Sequence, residues 1–120
     1  MMIATNIVDD NTKVITKITG KGDETKENVL KVSTLKNATS EPIVSIGSLH
    51  YEILPTDNKI TLSFGDTEAI ELSGRGNYGM KPNESKIETT TTKDVFLTSE
   101  KEITGYNIVM ECYKETGFSV

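Results

Sequence analysis

The sequence predicts an all-β protein, an antiparallel β-sandwich or jelly-roll-like barrel of about eight short strands. Three observations lead there. Apolar residues recur at every second position along most of the chain. The segments that alternate in this way are rich in β-branched and aromatic residues. Clusters of Gly, Pro, Asn and Asp interrupt them at intervals of roughly 8–12 residues. No window repeats apolar residues at i, i+3, i+4 and i+7 over a helical length. The nearest, "DETKENVLKV" (23–32), has good helix formers and is expected to give no more than one turn.

In chain order, residues 1–12 are either an N-terminal arm that orders only in an assembly or a first strand, and residues 13–120 form the β-sandwich domain. Strands are expected at 13–19, 28–34, 43–54, 59–65, 68–74, 85–92, 94–99 and 103–114. The stretch 19–25, with Gly20 and Gly22, reads as a hairpin tip. Pro55, Asp57 and Asn58 mark a turn at 54–59, and 64–68 makes a tight connection. A charged loop at 97–105 leads into the last strand. Thr89 to Thr92 alternate between two faces and suit cross-strand ladders.

Parity sorts the faces. Ile60, Leu62 and Phe64 share one side of their strand, and Leu49, Tyr51 and Ile53 one side of theirs. Tyr106, Ile108, Met110 and Cys112 lie together, opposite Asn107, Val109, Glu111 and Tyr113. A register slip of one residue would expose each apolar set, so these strands are well specified.

The totals set bounds. A chain of 120 residues suits one compact domain with a radius of gyration of about 14 Å. It has no Trp, three Phe and four Tyr, so the core must come from Ile, Val and Leu. Eighteen carboxylates oppose 13 cations, 12 of them lysines, for a net charge of −5. That balance lacks the basic footprint a nucleic-acid backbone requires. "MMIATNIVDD" has neither a basic region nor a long apolar run, and it reads as neither signal peptide nor membrane anchor. The one cysteine, Cys112, is expected to be a small buried apolar residue.

The least ordinary stretch is "ELSGRGNYGMKPN" (71–83), where Gly74 and Gly76 flank the only arginine, Arg75, and Tyr78 follows. A phosphate cradle would need a helix after the glycines, and Gly79 and Pro82 forbid one. Gly74 and Gly76 are therefore expected to let a strand bend or bulge, with Arg75 in a surface or inter-subunit ion pair. Gly74, Arg75, Gly76 and Tyr78 are the candidate interaction and turn residues. The only histidine, His50, sits in mid-strand facing away from Tyr51, and a hydrolytic triad has no visible partners for it. One His and one Cys cannot close a structural zinc site. Asp9, Asp10, Asn11 and the 65–68 stretch offer oxygens without the spacing of an EF-hand. Neither catalytic residues nor a metal or other cofactor are expected.

One resemblance goes further. "SLHYEILPTDNKITLSFGDTEAIELSGRGNYG" (48–79), followed by "KDVFLTSEKEITGYNIVMECYK" (93–114), resembles a group of small virion structural proteins of tailed bacteriophages. Its most specific pieces are Leu72-Ser73-Gly74-Arg75-Gly76 and the closing strand Tyr106 to Lys114. The chain departs from the pattern at Phe64-Gly65-Asp66, where a Trp-Asp pair is expected, at Tyr51, where a Trp is usual, and at Pro82-Asn83, which reverses the usual order. The first 40 residues carry no such likeness. The resemblance implies a non-enzymatic capsid decoration or cement protein. Its partners would be the major capsid protein or other virion proteins, with self-association or a symmetric array. Its place would be the virion, assembled in the bacterial cytoplasm. Alternatives are a tail, neck or baseplate component and a carbohydrate- or host-surface-binding module.

Overall fold

A computed structural model describes residues 2–22, 24–39, 42–55, 57–64, 67–78, 87–88, 94–99, 102–114 and 117–119; for 24–26, 64, 67–69, 78 and 87–88 it describes the backbone alone. Ten strands form: β1 (Met2–Asp9), β2 (Lys13–Gly20), β3 (Glu24–Leu30), β4 (Val44–Leu54), β5 (Lys59–Phe64), β6 (Thr67–Ser73), β7 (Arg75–Tyr78), β8 (Ile87–Glu88), β9 (Val95–Ser99) and β10 (Gly105–Lys114). One sheet runs β1-β2-β10-β4-β7, with β8 also paired to β4, and the other runs β3-β9-β5-β6. All the pairings are antiparallel. The protein is an all-β, jelly-roll-like sandwich, and its radius of gyration is 13.7 Å.

Alternation in the sequence becomes burial here. On β10, Tyr106, Ile108, Met110 and Cys112 are buried. Each lies in a row across the sheet: Ile18–Ile108–Tyr51 and Val14–Cys112–Ile46 are two of them. Facing them, Ile60 and Leu62 of β5 and Val95 and Leu97 of β9 are fully buried on the second sheet. The core between the sheets is thus built almost entirely of aliphatic side chains from both layers. The rows stay in step through a bulge in β4 opposite Glu111 and Cys112, where Gly47 is the extra residue. The Tyr113 ring lies over Gly47, and a Cβ there would run into it.

Two expectations change. The 19–25 stretch is not a hairpin tip, because β2 pairs with β1 and β10 whereas β3 pairs with β9, so the chain crosses here between sheets. Gly22 takes φ 80°, and its amide donates to the Ile103 carbonyl at 2.8 Å. The strand expected at 28–34 ends at Leu30, and Val32–Thr34 form a 3₁₀ turn. Asp94 dictates this corner by accepting the Val32 N–H at 2.9 Å and the Asn28 side-chain N–H at 3.1 Å. Of the arm and the first strand offered for residues 1–12, the structure has a strand at Met2–Asp9, paired with β2 apart from a bulge at Ile7.

The β1–β2 turn, the segment at Lys36 and the end of β10 meet at one buried cation. Lys114, at the end of β10, has a side chain 1% exposed. Its ammonium donates to the Asp9 carboxylate at 2.5 Å, the Asp10 carbonyl at 2.5 Å and the Lys36 carbonyl at 2.9 Å. Those bonds use all three donors of a lysine. The Phe118 ring centroid is 5.3 Å away, a cation–π distance. Asp9 in turn accepts the Lys36 N–H at 2.9 Å. Beside it, Asp10 closes the β1–β2 turn by accepting the N–H groups of Thr12 and Lys13, both at 2.9 Å. Those two bonds, Thr12 first, hold its carboxyl below the ordinary value of 3.8.

Removing one partner of a buried pair strands the other charge. Asp9→Ala is therefore expected to cost about 3 kcal/mol in urea unfolding. Adding Lys114→Met to that variant should restore part of the loss, since no cation then remains buried. A double variant less stable than Asp9→Ala would contradict this account of the latch.

Candidate functional site

The candidate residues 74–78 occupy the place where the chain leaves the second sheet and enters the first. Gly74 follows β6 with φ 71°, a backbone region that suits glycine. Its carbonyl accepts the Ile53 N–H at 2.8 Å. This turn delivers β7 beside β4 in the register Glu52–Arg75, Tyr51–Gly76, His50–Asn77 and Leu49–Tyr78. The glycines thus lead into a strand, and the backbone of β7 is engaged in the β4 ladder. The expected bend and ion pair are both present: Arg75 Nη2 contacts Glu52 Oε2 within its own sheet. Gly76 faces inward, with the Tyr51 hydroxyl 3.0 Å from where a Cβ would stand. The Tyr78 side chain lies outside the described residues.

On the outer face of this sheet, His50, Glu52, Arg75, Asn77, Asn107 and Val109 border a wide depression of about 560 Å³. Register explains the grouping, since Asn107 pairs with Glu52 and Val109 with His50. The sequence singled out Arg75 and weighed His50 alone. It did not reveal the others, because strand pairing is a long-range choice. The depression is open to solvent, and the Arg75 guanidinium on its border is paired with Glu52.

Among the described residues, the reactive groups are dispersed. Cys112 is fully buried, and burial, with a smaller contribution from the neighbouring Glu111 charge, pushes its thiol up to about 12. His50 lies on the opposite, exposed face. The oxygens of the 9–11 triplet are committed, Asp9 to Lys114, Asp10 to the turn amides, and Asn11 to the Asn37 side-chain N–H at 3.0 Å. In the 65–68 stretch, Gly65 and Asp66 lie outside the described residues. Among the described residues, no three His, Cys, Asp or Glu side chains converge as a metal site.

No protein-family model matches the chain, and no curated protein does. Two solved structures resemble its chain path. A cupin superfamily protein from Desulfitobacterium hafniense is 10% identical, with 97% of this chain and 79% of that one covered and a TM-score of 0.42. An RmlC-like cupin family protein with a double-stranded β-helix fold, from Methanocaldococcus jannaschii, is 11% identical over 95% of this chain and 80% of that one, with a TM-score of 0.39.

The two candidate residues at the turn should separate in their effects. Gly74→Ala forces a side chain into the left-handed region and should lower stability by about 1–2 kcal/mol. Arg75→Ala breaks only an exposed pair, with the arginine 76% exposed, and should change stability by less than about 1 kcal/mol. Equal losses in chemical denaturation would contradict this assignment.

Proposed function

We propose that the protein is a non-enzymatic structural component of a tailed-phage virion, a decoration or cement protein that stabilises the shell through subunit contacts. The observation that carries this reading is the dispersal of its reactive groups around a solid interior. The single thiol is sealed in the core, the single histidine stands on the outer face, and the space between the sheets is filled with aliphatic side chains. What the molecule offers to others is therefore surface, with the Lys114 contacts tying the end of β1 to β10. The likeness of residues 48–79 and 93–114 to small virion proteins supports the same conclusion. Repetition over a symmetric shell lets many modest contacts act together.

The test uses purified protein and empty shells of the matching phage. Saturating protein should bind the shells and raise their rupture temperature in scanning calorimetry, with about one or a few copies per shell subunit. Failure to bind, or an unchanged rupture temperature, would overturn the proposal. A copy number matching a tail ring would move the protein to the tail.

A further inference from the structure

We propose that β1 is a self-association edge, pairing antiparallel with β1 of a second copy so that the six-stranded sheet continues across a twofold axis. β1 ends the order of its sheet, so one side of its backbone has no strand beside it among the described residues. An edge of this kind is normally protected by charge, proline or shortness. The other edges have such protection. β3 carries Glu24, Lys26 and Glu27, β6 carries Glu68 and Glu71, β7 has four residues, including Arg75, and β8 has two. β1 reads "MIATNIVD", with no charge and no proline from Met2 to Val8.

Electrostatics selects the edge at which a second copy can approach. The chain has a net charge of −5, so two copies repel one another overall, and an edge that brings like charges opposite each other adds to that repulsion. The charge-free β1 is where two such chains meet with least repulsion. The side chains are self-complementary as well. Ile3 and Ile7, 58% and 55% exposed, are the most exposed large apolar residues among those described. They stand two positions either side of Thr5, so an antiparallel copy places Ile3 of each strand beside Ile7 of the other, opposite or diagonal. The β1–β2 ladder shifts by one residue at Ile7 and resumes at Val8 and Asp9, so β1 stays a paired strand over its whole length. The edge is also held in place beforehand. Thr16 Oγ1 donates to Asn6 Oδ1 at 2.8 Å, and the Lys114 latch grips Asp9. A seam this short falls at the small end of specific interfaces, so the pair is weak in dilute solution and gains from repetition in an array.

Analytical ultracentrifugation of the full chain decides the matter, whether or not it binds shells. The wild type should shift from monomer toward dimer as concentration rises to about 1 mM. Ile3→Lys/Ile7→Lys should stay monomeric throughout with an unchanged melting curve. A second measurement covers the case in which that variant folds poorly. Under mild oxidation, an equal mixture of Ile3→Cys and Ile7→Cys chains should form disulfide-linked dimers faster than Glu71→Cys chains alone, and the buried Cys112 should not interfere. A wild type that remains monomeric at the highest concentration would overturn the proposal. So would a dimer that survives the double lysine substitution, or cross-linking no faster at β1 than at Glu71. Monomeric chains that still stabilise shells would remove β1 pairing and leave the shell-binding reading standing.

Discussion

The structure depends on keeping one face of β10 dry. This strand is paired on both sides, to β2 and to β4, so its register sets the register of the whole first sheet. Its inward row of Tyr106, Ile108, Met110 and Cys112 meets the aliphatic face of the second sheet. Burying each such side chain stabilises the fold by roughly 1.5–3 kcal/mol. A slip of one residue would carry Asn107, Glu111 and Tyr113 into that space and turn the apolar row outward. The bulge at Gly47 belongs to the same constraint, because it lets β4 stay in phase with β10 past Glu111.

Packing alone does not hold the ends of such a sandwich, since termini fray unless tied down. Here the tie is electrostatic. Lys114 draws together the β1–β2 turn, the segment after the 3₁₀ turn and Phe118. The C-terminal segment adds an isolated bridge, Ala38 to Phe118. These contacts tie the end of β1 to β10 and to the segment at Lys36.

Much of the fold was legible in the sequence because burial in a sheet repeats every two residues. The faces of β4, β5 and β10 follow directly from Leu49, Ile60, Leu62 and Ile108. The glycine-bounded Arg75 marked a real turn, and the lone Cys112 proved to be core. Partnership was not legible. Gly20 and Gly22 suit a hairpin and a crossing equally well, and only the pairing of β2 with β10 decides between them. The 3₁₀ turn after Leu30 depends on Asp94, more than 60 positions away, and the Lys114 latch joins groups over 100 positions apart. The depression near Arg75 is likewise a product of register. Its residues carry no shared pattern along the chain.

If both sheets close over one core, they must open together. Native-state amide hydrogen exchange across a urea series measures this directly. The slowest amides of β10 and β4 and those of β5 and β9 should converge on a single opening free energy, equal to that of global unfolding. Exchange of β5 and β9 through a separate, cheaper opening while β10 and β4 stay protected would contradict the account.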